Sequence, residues 1–422
     1  MSETADEVAS SSETGGSRPL RQIEYDPQFQ GPLNGLRVID LSRVLAGNMI
    51  SLQLADYGAE VIKVEPPDGG DPLRAWLVDG HSLSWKVYGR NKKSLTLNLR
   101  TDAAKEVLLD LVEASDIFIE NYRPGTLEKM GLGPDVLMAR NPELIVVRVS
   151  GFGQTGPYQE LPGFGTLIEA MSGFAYRNGF PDREPVLPPI HMADMVTGLY
   201  GAMATLIAVR AREKGSCAGQ IIDMSLLEPA FSILGPEAAW HQVTGRVRER
   251  VGSRSNTAAP RNVYKTRDGK WLAMSGSTQP LAARIFAAVG RADMIEDPKF
   301  ATNQARLDHR AEIDEIIGGW IGDRDRDECL AVFREAGATV APVNDIGDIM
   351  EDSHFREREI LVEAPDEDLG YLPMHNVVPR LSGTPGGFTC PAPKLGEHNS
   401  EILQMLGYSA SEVSELTKEG CL

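Results

Sequence analysis

Cysteine is scarce in this sequence, and metal-ligand patterns are missing. The 422 residues include 4 cysteines, none spaced as CxxC, and 7 histidines that stand apart from one another. The cysteine count excludes a disulfide scaffold and the usual thiolate metal sites, and the scattered histidines give no basis for another metal site. The chain opens on acidic residues and not on a basic, apolar signal sequence. We therefore expect a protein of the reducing cytoplasm that binds no metal.

The sequence also has fewer positive than negative charges and lacks long apolar runs. Lysine and arginine total 42 against 60 aspartates and glutamates, so the formal net charge is -18. Nucleic acid is therefore not expected as a partner, because a binder of phosphate backbones needs a basic face. The longest apolar stretch with a helical pattern, residues 198–209, is too short to cross a bilayer, so no membrane span is expected.

Familiar cofactor motifs are absent as well. No GxGxxG follows the first predicted strand, where residues 43–47 are RVLAG, and no P-loop, HExxH or GxSxG motif occurs. A nicotinamide-dependent oxidoreductase, which a fold-level argument alone would allow, therefore lacks its usual fingerprint.

Hydrophobic patterning indicates strands that alternate with helices in the first half of the chain. The predicted strands are residues 36–41, 59–65, 94–99, 116–120, 144–149 and 220–224. Predicted helices cover residues 45–55, 103–114 and about 195–213. This alternation is typical of a doubly wound, Rossmann-like parallel sheet in an α/β protein.

Composition divides the chain into four parts. Residues 1–30 are rich in Ser, Glu, Thr and Gly and predict a disordered tail. Residues 31–245 form the predicted large domain, and residues 246–365 a linker followed by a smaller α/β domain. Residues 366–422 are expected to return and complete the large domain.

Three loop segments permit both a structural and a functional interpretation. Residues 90–94 form a basic cluster, which is either a solvated strand edge or a phosphate clamp. Residues 121–125 follow a strand end, where α/β sheets bind ligands, but Pro-Gly is also a turn signal. Residues 150–157 contain three glycines, which permit close approach to a ligand or a flexible connection.

Asp194 has two interpretations of its own, because it lies just before the long predicted helix. Aspartate is a favoured N-cap residue, worth about 1 kcal/mol. Alternatively, it is a carboxylate nucleophile that the helix N-terminus keeps ionised. Composition alone leaves both open.

Eight segments taken in order carry a resemblance that no single one of them establishes. They are residues 33–47 (LNGLRVIDLSRVLAG), 58–65 (GAEVIKVE), 91–94 (NKKS), 120–125 (ENYRPG), 130–133 (MGLG), 150–157 (SGFGQTGP), 194–198 (DMVTG) and 395–398 (LGEH). Together they resemble the class III, or formyl-CoA/carnitine-type, coenzyme A transferases, over about residues 31–407.

The resemblance implies a fold, a partner and a mechanism. It implies a Rossmann-like large domain, a smaller domain and two interlocked copies of the chain. It places Asp194 at the position of a catalytic aspartate that forms a mixed anhydride and then an aspartyl-CoA thioester. The implied co-substrate is a coenzyme A thioester, with no permanently bound cofactor. The implied CoA contacts are Val44, Leu45, Ala46, Arg74, Lys93, Asn121, Tyr122, Arg123, Lys129 and Met130.

Three departures narrow the expected activity. Pro66 stands where formyl-transferring members carry an arginine, so the nucleotide phosphate of CoA is expected to be held differently. Residues 252–256 stand in place of their run of four glycines, so formate and oxalate exchange are not expected. In α-methylacyl-CoA racemases of the same superfamily, a histidine falls where this chain has Phe164. Phenylalanine cannot carry a proton, so racemase or isomerase activity is the alternative rather than the expectation. A non-catalytic acyl-CoA-binding protein is a further alternative, although Asp194 is present.

The motifs around residues 43–47, 151–157 and 197–200 are closest to the succinate-utilising branch. The expected donor is therefore succinyl-CoA, and the expected acceptor a short branched or hydroxylated dicarboxylic acid. A second carboxylate needs a cation or several donors in the pocket, because a buried unpaired charge is costly. His191, Arg261 and Gln154 are the candidate residues for this contact.

Overall fold

The computed structural model describes residues 19–422, so residues 1–18 of the predicted tail lie outside the described residues. The strands in this range are β1 (Arg21–Gln22), β2 (Arg37–Asp40), β3 (Glu60–Glu65), β4 (Lys92–Thr96), β5 (Ile117–Glu120), β6 (Ile145–Ser150), β7 (Gln220–Ser225), β8 (Arg261–Lys265), β9 (Trp271–Ser275), β10 (Val340–Pro342), β11 (Leu361–Asp366) and β12 (Gly370–His375).

The α-helices of the same range vary widely in length. They are α1 (Ala46–Ala55), α2 (Leu83–Tyr88), α3 (Asp102–Glu113), α4 (Thr126–Lys129), α5 (Pro134–Arg140), α6 (Gly165–Met171), α7 (Phe174–Arg177), α8 (Met192–Glu213), α9 (Leu227–Ser232), α10 (Glu237–Thr244), α11 (Gln279–Ala288), α12 (Asn303–Asp308), α13 (Arg310–Gly322), α14 (Arg326–Glu335), α15 (Ile346–Glu351), α16 (Ser353–Glu357), α17 (Asn399–Met405) and α18 (Ala410–Lys418). Two 3₁₀ turns cover Pro72–Ala75 and Ala292–Ile295.

Six strands form one parallel sheet in the order β4-β3-β2-β5-β6-β7. Strands β5 and β6 are fully buried and rich in Ile, Val and Phe, as expected for strands that helices cover on both faces. From β2 the chain adds strands first on one side and then, from β5, on the other. The predicted doubly wound α/β sheet is confirmed, and its strand order reverses between β2 and β5.

Two apolar clusters cover the faces of this sheet. Thr101 is the N-cap of helix α3, and its side chain accepts a hydrogen bond from Ala104 N. The helix buries one apolar side in a cluster that also contains residues of α17 and α18. Helices α1 and α8 contribute to the cluster on β2, β5 and β6. The C-terminal helices thus pack on the same core as the six-stranded sheet.

A second sheet, antiparallel in the order β10-β9-β8, has a core of its own. Helices α11, α13 and α14 bury Ile285, Ile317 and Phe333 in it. This part and the six-stranded sheet belong to one compact unit, residues 26–343 and 379–422.

The other compact unit joins residues 19–25 to residues 344–378. Strand β1 runs parallel to β11, which pairs antiparallel with β12. Residues 21–22 are therefore part of a sheet, where the sequence predicted a tail up to residue 30, because a strand far along the chain supplies their backbone partners. The unit boundaries at 25, 343 and 378 also differ from the predicted domain boundaries at 245 and 365.

Helix α8 is longer than the pattern at residues 198–209 indicates. It runs from Met192 to Glu213, and its mean hydropathy of 1.5 makes it long and apolar enough to cross a membrane by those two criteria alone. The expectation that the chain has no membrane span considered only the shorter stretch at residues 198–209, and it stays a prediction. A core helix meets the same criteria, and α8 packs closely on α1.

Candidate active site

The loops after β2 and β5 meet where the strand order reverses, which is where open α/β sheets bind ligands. The Asn121 side chain connects them. Its Oδ1 accepts a hydrogen bond from Arg43 N at 2.8 Å, and its Nδ2 donates to Arg43 O at 2.7 Å. Residues 121–125 thus brace the neighbouring loop, which a simple Pro-Gly turn does not require.

Val44 has an unusual backbone conformation within that loop. Its φ of 67° is in the left-handed region, which is unfavourable for a β-branched residue. Two hydrogen bonds hold it there: Val44 N donates to Asp71 Oδ1 at 3.0 Å, and Asn48 Nδ2 donates to Val44 O at 2.7 Å. The next residues, Leu45 and Ala46, begin helix α1.

A buried ion network lies directly beneath this loop. The Lys63 ammonium lies 3.2 Å from Asp40 Oδ1 and 3.1 Å from Asp71 Oδ2, and the Lys92 ammonium lies 3.4 Å from Asp40 Oδ2. All four side chains are almost completely buried. Burial alone would raise the pKa of Asp40, but the two lysines and two serine hydroxyls hold it well below its usual range. Burial lowers the pKa of Lys92 to about 8.

Two cations of the basic cluster at residues 90–94 fit neither interpretation of it. Arg90 is fully buried and donates to the Asp56 carboxylate at 2.6 Å, and Lys92 is fully buried in the network. Neither cation is at a solvated edge or free to clamp a phosphate. The sequence predicted that this strand starts at residue 94, but β4 starts at Lys92. Lys92 can lie in the protein interior because the buried carboxylate of Asp40 pairs with its ammonium group.

Asp194 is the third residue of α8, and His191 is the N-cap. The interpretation of Asp194 as an N-cap is therefore wrong, because the helix starts one turn earlier than the apolar pattern indicates. Gly198 and Gly201 face Met49 and Ile50 of α1 so closely that a Cβ at either glycine would clash with them. These contacts bring the start of α8 against the start of α1.

Three glycines complete the surroundings of Asp194. Gly151, after β6, and Gly163 pack backbone to backbone, with no space for a side chain on either. Two residues later, a Cβ at Gly165 would lie only 2.6 Å from Asp194 Oδ2. Gly151 and Gly163 therefore serve close backbone packing, and Gly165 makes room for a carboxylate.

The surroundings of Asp194 raise its pKa to about 6. Burial is the main cause, and the Glu169 carboxylate adds to it. His191 and the backbone N–H groups of Ala46 and Asp194 itself act in the opposite direction and favour the ionised carboxylate. At neutral pH the side chain is therefore mostly ionised although it is partly buried.

The structure separates the ten predicted CoA contacts into two sets. Val44, Leu45, Ala46, Asn121, Tyr122, Arg123, Lys129 and Met130 lie on or just beyond the loops that follow β2 and β5. The side chains of Arg123 and Lys129 are exposed, as is that of Arg43, and among residues 19–422 none of these three cations forms an ion pair.

Arg74 and Lys93 are already engaged. The Arg74 guanidinium makes two hydrogen bonds to Glu65, at 2.7 and 2.8 Å, and stacks on Trp85. The Lys93 ammonium bonds to Glu60 and Glu401 near the start of β3, away from the carboxyl ends of the strands. The structure does not bring Lys93 together with the first set.

The three candidate substrate residues are also separated. The His191 ring packs on the Trp76 ring, with 5.4 Å between the ring centroids. His191 also favours the ionised form of Asp194 and so lowers its pKa. Gln154 is in the loop after β6, and its Nε2 is buried without a hydrogen-bond partner among the described residues. Arg261 is the first residue of β8 and not in a loop, and its guanidinium donates to the carbonyl of Arg254.

Several residues of this site escape sequence reasoning. Asp71 and Asn48 position the Val44 loop, Glu169 accepts the N–H of Ala193 at 3.2 Å, and Gly165 makes room for Asp194. For Gly165 the sequence offers a signal, its spacing from Gly163. Asp71, Asn48 and Glu169 have no such signal, because their roles depend on contacts that appear only in the folded chain. Among residues 19–422, no group of three His, Cys, Asp or Glu side chains could hold a metal ion.

Comparison with known proteins gives matches over most of the chain. A family model described as CoA-transferase family III matches residues 33–399. A succinyl-CoA–D-citramalate CoA-transferase of Chloroflexus aurantiacus is 41% identical over 389 residues, 91% of this chain and 96% of that protein. The beta subunit of a succinyl-CoA–L-malate CoA-transferase of the same organism is 42% identical over 392 residues, with the same shares covered, 91% and 96%. A solved CAIB/BAIF family protein from Brucella suis has a TM-score of 0.80 and 32% identity, covering 90% of this chain and 100% of that one.

Proposed function

Because the chain belongs to CoA-transferase family III, and is thereby a CoA-transferase, we propose that it moves CoA from succinyl-CoA to a dicarboxylic acid, with Asp194 as the nucleophile. One observation carries this proposal. Asp194 is an ionised, partly buried carboxylate at the start of α8, and Gly165 makes room for its Oδ2. Such a carboxylate needs no general base before it attacks a thioester.

The proposed reaction is a chain of acyl exchanges in which charge and atoms balance. An Asp194 oxygen attacks the thioester carbonyl carbon, the C–S bond breaks, and CoA leaves as a thiolate. This thiolate attacks the aspartyl carbonyl of the mixed anhydride, which releases succinate and leaves an Asp194–CoA thioester. The acceptor carboxylate displaces the thiolate to form a second anhydride. The thiolate then attacks the acceptor carbonyl and restores Asp194.

The CoA moiety is proposed to lie across the loops after β2 and β5. Arg43, Arg123 and Lys129 are exposed cations there, and the phosphates of CoA are suited to such groups. Backbone atoms of the Val44–Ala46 segment would contact the part of CoA nearest the thioester. Lys93 and Arg74 remain predicted contacts, and each would have to share its cation with the acids that hold it now.

The acceptor is proposed to be a short dicarboxylic acid with a branch or a hydroxyl group. The names of the two Chloroflexus relatives pair succinyl-CoA with D-citramalate and with L-malate, which supports this class. The buried, unpaired Gln154 Nε2 offers a donor to a second carboxylate, and leaving such a donor unpaired costs about 1–3 kcal/mol. His191, adjacent to Asp194, is the proposed cationic partner.

We also propose that the working form is a homodimer. The outer side of α8 and the nearby residues of 32–57 and 379–381 line an apolar groove of about 740 Å³. Leu199, Met203 and Ile207 of α8 are half exposed or more within it. An apolar surface of this kind on a helix in the middle of a domain is typical of an interface, and a second copy of the chain is the proposed occupant.

The alternative activity, racemisation or isomerisation of an acyl-CoA, lacks a proton carrier at residue 164. Phe164 is 70% exposed and precedes α6, and its ring cannot accept a proton. Incubation of an acyl-CoA in deuterium oxide distinguishes the two activities. Exchange of the proton beside the thioester carbonyl without any acceptor acid would favour the isomerase.

The substrate proposal is tested by CoA exchange between succinyl-CoA and a panel of carboxylic acids, followed by mass spectrometry. We expect new CoA thioesters of short hydroxylated or branched diacids. Monocarboxylic or aromatic acids that accept CoA much faster than diacids would contradict the acceptor class but not the transferase activity.

A further inference from the structure

We infer that Asp71 is a positioning residue for the nucleophile: it holds Val44 in its left-handed conformation and thereby fixes the start of α1, against which the start of α8, with Asp194, packs. The inference rests on the proposed function of Asp194. Asp71 does not take part in the proposed chemistry, and its side chain is almost completely buried.

The contacts of Asp71 use every acceptor position of its carboxylate. Oδ1 accepts from Val44 N at 3.0 Å and from Leu73 N at 2.9 Å. Oδ2 accepts from Asn48 Nδ2 at 2.8 Å and lies 3.1 Å from the Lys63 ammonium. All four partners are donors, so an amide at residue 71 would turn an NH₂ group towards at least two of them.

Val44 needs this support because valine is unfavourable at a φ of 67°. The strain is local to Val44, and both of its peptide groups are hydrogen-bonded: Val44 N donates to Asp71, and Asn48 donates to Val44 O. Strained residues of this kind persist only where the surrounding structure enforces them. Without Asp71, the loop is expected to relax towards an ordinary conformation.

Relaxation of Val44 would move the first N–H groups of α1, including that of Ala46. Burial and Glu169 on α6 raise the pKa of Asp194, whereas His191 at the N-cap of α8 and the backbone of Ala46 lower it. Gly198 of α8 packs against Met49 and the carbonyl of Ala46, so a shift at the start of α1 would change the surroundings of Asp194. Asp194 would then lose one of the groups that keep it ionised near neutral pH.

The test compares Asp71→Asn in two backgrounds, wild type and Val44→Gly. Glycine adopts a φ of 67° without strain, so it removes the need for a restraint. In wild type, we expect Asp71→Asn to reduce kcat/KM at least tenfold and to raise the acidic midpoint of its pH profile by about one unit, as expected for a lost hydrogen bond to a charged group. In the Val44→Gly background, we expect Asp71→Asn to reduce kcat/KM about threefold or less.

Ser51→Ala is the matched control. Ser51 donates to Asp40 Oδ2 at 2.5 Å in the same network but does not contact Val44. It should lower thermal stability and leave the pH midpoint unchanged. Should Asp71→Asn not fold, Asn48→Ala, which removes the donor to the Val44 carbonyl, serves as the second variant with the same expected midpoint shift.

An unchanged midpoint in Asp71→Asn, or an equal loss of activity in both backgrounds, would overturn the inference. That outcome would leave the proposed function intact. The proposed function fails on a different result, which is turnover close to that of wild type in Asp194→Ala.

Discussion

Gly165 and Asp194 are in contact, although 29 positions separate them in the sequence: a Cβ at residue 165 would lie 2.6 Å from Asp194 Oδ2. The contact explains why a glycine is found where α6 begins. Any side chain at residue 165 would displace the carboxylate proposed to attack the thioester.

Gly165→Ala is therefore predicted to impair catalysis directly. A methyl group at this position would push the Asp194 carboxylate aside, and we expect kcat to fall at least tenfold, or about 1.4 kcal/mol of barrier. Steady-state kinetics at saturating succinyl-CoA measure this. Gly319→Ala is the control, because a Cβ there meets no atom within 4 Å and alanine favours its helix. Equal kcat values in wild type and Gly165→Ala would contradict the geometry.

The raised pKa of Asp194 predicts that this residue reduces stability at neutral pH. The carboxylate titrates at about 6 in the folded protein and near 3.8 in an unfolded chain, so folding disfavours its ionised form. Wild type should lose stability from this group as the pH rises from about 4 to 6. Asp194→Asn should be more stable by about 1–3 kcal/mol at pH 7 and equal to wild type below about pH 4. Urea unfolding at several pH values measures the difference, and a constant difference from pH 4 to 7 would refute the assignment.

Two candidate substrate residues should behave differently. His191 acts on Asp194 electrostatically, whereas Arg261 lies in the second sheet and its guanidinium donates to the backbone carbonyl of Arg254. We expect His191→Ala to raise KM for a diacid acceptor about tenfold or more, and Arg261→Ala to change it less than about threefold, because only the first removes a group beside the reacting carboxylate. KM values measured at fixed succinyl-CoA decide between them. The reverse order would assign the second carboxylate to Arg261.

A charge in the apolar groove of α8 should separate the proposed dimer. Ile207 is 61% exposed and lines this groove, and a glutamate there would have to be buried unpaired against the second copy. Sedimentation should show Ile207→Glu as a monomer or as aggregated chains. Ile346→Glu, an equally exposed apolar position outside the groove, is the control and should sediment like wild type. If wild type sediments as a folded, active monomer, the dimer proposal is wrong.

Local patterns predict much of the six-stranded sheet. Strands β5 and β6 are short apolar runs between polar loops, and burial on both faces requires such runs. The start of β4 could not be predicted in this way, because Lys92 is interior only through Asp40, a residue of another strand. In the sequence, where its partner cannot be identified, a buried lysine looks the same as a surface lysine.

In the active site, too, local sequence predicts some features, whereas others depend on residues far along the chain. Asp194 could be singled out from a motif, but its place inside the first turn of α8 depends on where the helix starts. The left-handed Val44 could not be predicted, since the sequence carries a residue type that disfavours that conformation and its restraint, Asp71, comes from a separate loop. Close approaches such as that of Gly151 to Gly163 become visible only once both segments are in place.

The most direct test of the central claim is to trap the covalent intermediate. Wild type is incubated with succinyl-CoA and then with hydroxylamine, and the peptides are sequenced by mass spectrometry. The account predicts one modified residue, Asp194, with no modification in Asp194→Ala, whose turnover should fall at least about 10³-fold while CoA binding persists. Modification at another residue, or near-normal turnover in Asp194→Ala, would contradict it.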